Sequence, residues 1–302
     1  MSEGHSSVLS ATESFAGDAC VARTNPAREF VFALPCLARP LNGGPRSAIL
    51  LGCADTPVIQ SEHMPNKRPQ SMKALRKRLE ELAHSAGVRV FGVADLEAAE
   101  KEVPGLFERV GARFKRAVVM GMPLSPAYLE GAVDAPTPLY FHAYRQLNYR
   151  LDDAAYVVCE ALIDEGHRSM AVAASQIIGS DPPKGHVSHR HLGAAAGLGW
   201  IGRSGLLVTP RYGAQLRLVT VLTDAPFEAG TPLPFSCGKC AACVKVCPAK
   251  AIRGKPEEFD LAACYAKLTE FTRIQYVGQH ICGVCVKACS PDNPGRAAVG
   301  RE

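Results

Sequence analysis

The chain has 302 residues, enough for one large domain or two smaller ones with their own buried cores. Hydrophobic residues make up 47% and charged residues 21%, which excludes a chain disordered throughout, and no apolar run reaches the ~18 residues of a membrane span. The net charge is +5, and eight of the twelve cysteines fall between Cys237 and Cys289, which excludes a short secreted disulfide scaffold and points to metal or redox chemistry in a reducing, cytoplasmic compartment.

Residues 1–71 carry seven prolines and no sustained helical or strand period. They read as a disordered or overlong N-terminal extension, without the ordered parts of a secretory signal. Met72, followed by apolar positions at Leu75, Leu79, Leu82 and Ala83, reads as a natural start. Cys20, Cys36 and Cys53 lack ligand spacing and read as inert thiols. From Met72 the pattern alternates helix and strand. The spacing predicts a helix over 72–86 closed by Gly87, a strand over 88–94 and another over 117–122. A long helix over 139–165 ends at Gly166, and strands follow at 169–174 and 216–222. Strands spaced by helices predict a layered α/β or α+β domain over 72–232. A proline-rich linker, Pro226 to Pro234, leads into a second domain over 233–302.

That second domain holds the strongest signal. Cys237, Cys240, Cys243 and Cys247 are followed by Pro248, the C-x2-C-x2-C-x3-C-P spacing of bacterial two-[4Fe–4S] ferredoxins. In such modules the fourth cysteine ligates the other cluster, so a second set must exist. Cys264, Cys282, Cys285 and Cys289 supply it. The crossing assigns Cys237, Cys240, Cys243 and Cys289 to one cluster, and Cys247, Cys264, Cys282 and Cys285 to the other, with Cys247 expected at a helix start. Zinc is the competing metal, but the proline after the fourth cysteine has no role in a zinc knuckle. Residues 233–302 carry ten Lys and Arg against six Asp and Glu. Each cubane with its four thiolates holds about −2, so this excess offsets the clusters and speaks only weakly for nucleic acid.

Residues 193–205 read GAAAGLGWIGRSG, in which Gly197, Gly199 and Gly202 satisfy G-x-G-x-x-G. A dinucleotide site needs a strand before this motif and a helix after it. Here a helix (188–196) precedes and a strand (206–209) follows, so the order is reversed. The glycines then serve close backbone approach to a flat ligand or cluster, or a tight turn. The only tryptophan, Trp200, lies inside this segment, with core packing or a cofactor flank as its two roles. Tyr140, Phe141, Tyr144 and Tyr149 share a helix; packing is their ordinary role, and Tyr140 and Tyr144 are the two candidates to line a pocket.

AGLGWIGRSGLLVTPRYG, then VLTDAP, then CGKCAACVKVCPAKAI together resemble the epoxyqueuosine reductase-like family, which is related to reductive dehalogenases. The resemblance spans roughly 72–292. It implies an α+β architecture, a layered corrinoid-type domain followed by a two-[4Fe–4S] ferredoxin-like module. It also implies a cobalamin beside the first cluster, an external ferredoxin- or flavodoxin-type electron donor, no membrane, and a modified tRNA base as substrate. On this reading Ser188, Gly197, Gly199, Trp200, Gly202 and Arg203 contact the cofactor. The family's proton-donating aspartate, in a V-D-S-A-P stretch, has no counterpart in His186-Val187-Ser188-His189-Arg190-His191, and the serine after the isolated cysteine is Ala266. His189 and His191 are the replacement proton donors, with Tyr144 in reserve. The competing function is a ferredoxin-type electron carrier or accessory protein without a corrinoid. About 160 residues between Met72 and the linker exceed what a bare carrier needs.

Overall fold

A computed structural model of the chain describes residues 71–180 and 183–292. The expectations for residues 1–70, including Cys20, Cys36 and Cys53, lie outside the described residues. Helix α1 (Met72–Ser85) starts where the Ser71 hydroxyl accepts from the Ala74 amide at 3.2 Å. It buries Leu75, Leu79 and Ala83 at four-residue spacing, each leucine worth about 1.5–3 kcal/mol of burial. The helix gives way at Gly87, whose φ of +102° suits glycine. Strand β1 (Val90–Asp95), α2 (Leu96–Glu102), α3 (Leu106–Val110) and β2 (Arg116–Pro123) follow. Helix α4 (Pro138–Asp164) has Thr137 as its cap and Pro138 in its first turn.

Strand β3 (Ser169–Val172) and a two-residue ladder, β4 (Gly179–Ser180) with β5 (Pro183–Lys184), lead to α5 (His189–Ala195). The hairpin β6 (Trp200–Ile201) with β7 (Leu207–Val208) precedes β8 (Leu216–Thr223). The four long strands form one sheet in the order β1-β2-β8-β3, and every neighbouring pair is antiparallel. The architecture is therefore α+β. Strand alternation sorts the core into two layers. Val118, Met120, Met122, Val219 and Val221 join Leu75, Leu79, Leu151 and Leu162 of α1 and α4. Ala117, Val119 and Leu222 join Leu96, Leu106 and Leu192 of α2, α3 and α5 on the other face.

The expected linker has no helix or strand, yet it is pinned. Phe227 is buried in the α1/α4 core, its carbonyl accepts from Arg116 Nε at 2.7 Å, and the Gly230 amide reaches the Val93 carbonyl. The cysteine region adds α6 (Ala242–Val246), α7 (Leu261–Phe271) and α8 (Val284–Ala288). Two apolar clusters weld it to the sheet domain. One packs Tyr140 and Ala143 of α4 on Val277 and Ile281. The other packs Trp200, Val208 and Ala214 on Cys237 and Cys289.

Candidate cluster sites and the adjoining recess

The two cysteine loops are built alike. Cys237-Gly238-Lys239-Cys240 and Cys282-Gly283-Val284-Cys285 each place a left-handed glycine after the first cysteine, with φ of +52° and +85°. Short helices α6 and α8 pack against each other. α6 carries Cys243 and ends with Cys247 as its C-cap; α8 carries Cys285 and ends with Cys289. Cys247 thus leaves the end of a helix rather than opening one, as expected from spacing. Cys264 comes from α7, which is started by the Asp260 carboxylate.

Cys237, Cys240, Cys243 and Cys289 line one cavity. Cys247, Cys264, Cys282 and Cys285 line a second. These are the quartets that the crossed spacing pairs. Among the described residues no three His, Cys, Asp or Glu side chains converge on a single ion; each quartet surrounds a space instead. Burial, then the neighbouring thiols, push Cys243 up to about 11. The same order of causes takes Cys264 to about 11 and Cys285 well above its ordinary value. Crowded, buried thiols hold their protons unless a cationic core displaces them. Four sulfur donors around a cavity fit an iron–sulfur cubane.

The glycine segment packs on protein rather than on open space. A Cβ on Gly197 would stand 2.5 Å from the Thr231 carbonyl oxygen, and one on Gly199 2.2 Å from that of Val208. Both glycines permit backbone contact, and neither lines any of the three cavities described here. Gly202, Trp200 and Arg203 line the first quartet's cavity, not the recess expected to hold a corrinoid. Arg203 donates from Nε to the Cys240 carbonyl at 2.9 Å and from Nη2 to that of Gly238 at 2.6 Å, holding the cysteine loop. Trp200 meets Phe235 edge-on at 6.0 Å.

A recess opens between α5, β8 and the cysteine region, with Ser188, His189, Leu216 and Leu218 among its walls. Tyr140, Arg190, Leu206, Arg217 and Val286 line both it and the second quartet's cavity. The second quartet therefore stands on the recess, whereas the sequence placed the first one there. Arg217 is the hub. It donates from Nε to Asn148 Oδ1 at 3.0 Å and from Nη2 to the Tyr144 hydroxyl at 3.1 Å and the Ala174 carbonyl at 3.2 Å. Its guanidinium carbon lies 4.2 Å from the Tyr144 ring centre. Burial alone would raise the Tyr144 phenol, but Arg217, Ser175 and Asn148 outweigh it and hold the phenol below its ordinary value. Burial instead dominates at Tyr140, whose phenol is raised strongly.

The histidines are engaged elsewhere. His189 sets Nδ1 2.8 Å from the Thr220 hydroxyl and Nε2 3.1 Å from the Ala173 carbonyl, and burial brings its pKa down to about 4. With that pKa it is neutral at pH 7, and both of its ring nitrogens are occupied. His191 pairs with the Ser188 hydroxyl at 2.7 Å and lines none of the three cavities; burial and Arg190 lower its pKa. Arg190 and Arg217 were missed from sequence. Arg217 did leave a signal, as the sole charge in the strand LRLVTVLT.

Two cysteine quartets, each lining its own space, stand beside an antiparallel sheet and a tyrosine–arginine recess in an α+β fold. No protein-family model matches the chain. It is 33% identical over 120 residues to the epoxyqueuosine reductase of Bacillus anthracis, covering 37% of this chain and 31% of that protein. Against the Listeria monocytogenes epoxyqueuosine reductase it is 37% identical over 86 residues, or 28% and 22% of the two chains. These matches span about a third or less of the relatives' length. Among solved structures, a catabolic reductive dehalogenase, NpRdhA, in complex with 3-bromo-4-hydroxybenzoic acid shares the fold with a TM-score of 0.60 and 20% identity, over 74% of this chain and 32% of that one. Epoxyqueuosine reductase with a modified tRNA-Tyr stem loop gives 0.51 and 18%, over 75% and 68%. The resemblance to the epoxyqueuosine reductase-like family thus holds in sequence and in fold. Among the described residues no helix is long and apolar enough to cross a membrane.

Proposed function

We propose that the chain is an iron–sulfur oxidoreductase, with residues 72–232 forming the cofactor and substrate domain and residues 233–302 the cluster domain. The observation that carries this is the second quartet's cavity, which the Tyr144–Arg217 pair also lines and which shares Arg217 with the recess. Cys237, Cys240, Cys243 and Cys289 would hold one [4Fe–4S] cluster, and Cys247, Cys264, Cys282 and Cys285 the other. The recess suits a flat, largely apolar corrinoid, with leucines on its walls and Ser188, Arg190 and Arg217 at its polar positions. When bound, the clusters in the two quartets would supply one-electron transfer and a corrinoid in the recess a strongly reducing cobalt.

The chain's own part is to position groups and move a proton. Tyr144 holds a proton at its hydroxyl beside Arg217, and the guanidinium stabilises the phenolate left when that proton goes to substrate. His189 keeps α5 against β8 and stays neutral. The cytoplasm, where thiols stay reduced, suits eight cluster cysteines, and a ferredoxin- or flavodoxin-type protein would supply electrons. One structural relative carries a tRNA stem loop. This chain lacks the family's aspartate in 186–191, so the reading favours reduction of a substrate other than epoxyqueuosine.

Anaerobically reconstituted protein should hold about eight irons and bind cob(II)alamin at micromolar concentration, followed by visible absorption and EPR. Four irons or stoichiometric zinc would overturn the two-cluster assignment. Cluster-replete protein that binds no cobalamin would leave the electron-carrier reading in its place.

A further inference from the structure

We infer that the outer side of the first quartet is the docking surface for an acidic electron-donor protein, with exposed Phe235 and Val246 as apolar contacts and Lys239 and Lys245 as its cations. This rests on the two-cluster reading. With the second quartet on the recess, the first is left as the point of entry, and its surroundings carry a charge pattern of their own. Residues 229–256 contain Lys239, Lys245, Lys250, Arg253 and Lys255 and not one Asp or Glu. All five are exposed. Arg253 faces Asp260 at 3.6 Å, whereas among the described residues no ion pair involves Lys239, Lys245 or Lys250.

Two of the lysines adjoin first-quartet cysteines, Lys239 beside Cys240 and Lys245 two residues after Cys243, whereas Lys250 follows Cys247 of the second quartet. Phe235 and Val246 are 39% and 41% exposed, the apolar contact that a small transient interface centres on. Phe235 also meets Trp200 edge-on at 6.0 Å, and Trp200 is buried and lines the quartet's cavity. The exposed aromatic and the cluster site are thus joined through one buried ring.

Electrostatics select the partner. A loaded cubane with four thiolates is itself about −2, so a donor that carries its own anionic cofactor on an acidic surface is repelled by the cluster it must approach. Lysines around the loop reverse that local field and steer the acidic partner into contact, an effect read in association rate and lost with salt. Lys239 arises from the loop and Lys245 is a single residue on the short helix α6, so the cations do not extend along a helix face as a phosphate-tracking stripe would. A protein donor therefore fits better than a nucleic acid.

The test is stopped-flow reduction of cluster-loaded full-length protein by photoreduced flavodoxin, comparing wild type with Lys239→Glu/Lys245→Glu. The double variant should hold about eight irons and be reduced by photoreduced deazaflavin within about twofold of wild type. Its second-order rate with flavodoxin should fall at least about tenfold in ~50 mM salt, and the gap should close near ~500 mM. If the double variant loses iron, Lys245→Glu alone, on α6, carries the same comparison. Unchanged flavodoxin kinetics, or an equal fall with both reductants, would overturn the docking surface. So would a variant that loses only affinity for a tRNA stem loop. Wild-type protein without two clusters overturns the proposed function instead, and the entry site with it.

Discussion

His189 should behave as a half-buried neutral prop, and its pH response separates that role from proton donation. The Ala173 carbonyl 3.1 Å from Nε2 can only accept, so that nitrogen carries the hydrogen, and Nδ1 accepts from the Thr220 hydroxyl at 2.8 Å. Burial, joined by the Arg217 charge and opposed by the bond to Ala173, takes the pKa from 6.5 to about 4. The unfolded chain takes up this proton below pH ~6.5 and the folded chain only near pH 4. The stability contributed by neutral His189 is therefore present above pH ~6.5 and lost as pH falls through about 4. The full loss is about 3 kcal/mol, and about 1 kcal/mol of it falls between pH 7 and 5.5. His189→Gln keeps a donor and an acceptor and removes the titration. Wild type should lose about 1 kcal/mol more than the variant over that interval, or about 2–4 °C in melting temperature. Anaerobic thermal unfolding by circular dichroism measures this. Parallel pH slopes, or an imidazole that titrates near its ordinary value by NMR, would refute the assignment. So would a variant of unchanged stability whose reductive turnover is abolished, because it would return His189 to the chemistry.

Gly199→Val drives a side chain into the Val208 carbonyl, 2.2 Å from the new Cβ, and should cost about 1–3 kcal/mol or more. Because Trp200 and Val208 flank the first quartet, iron content should drop with it; unchanged iron and melting temperature with lost cobalamin binding would restore the ring-cradle role. Arg217→Gln removes the cation that holds the Tyr144 phenol down, so burial then prevails and the phenol ionises above its ordinary value. Ultraviolet titration at alkaline pH should lose its earliest tyrosine, and an unaltered curve would count against the pair.

Local chemistry made much of this chain legible without a fold. Helices α1 and α4 follow from their apolar spacing and closing glycines, because a helix face repeats every three to four residues whatever it packs against. The cysteine quartets follow from spacing too, since a short loop can present only certain sulfurs to one space, and the same quartets line the two cavities. What a residue faces across the fold was not legible. Arg217 meets Tyr144 from 73 positions away, and His189 is silenced by Thr220 and Ala173, on β8 and just beyond β3. The lone charge in its strand marks Arg217 as unusual, but neither partner can be read from local sequence. The glycine segment misled for a related reason: sequence shows that a Cβ is missing, and only the packed backbone of Val208 and Thr231 shows what occupies its place. Residues far apart in sequence, Tyr140, Arg190, Arg217 and Val286 among them, likewise join the second quartet's cavity, rather than the first, to the recess. Spacing along the chain determines which atoms can reach a common point, and only tertiary packing decides what lies on the far side of it.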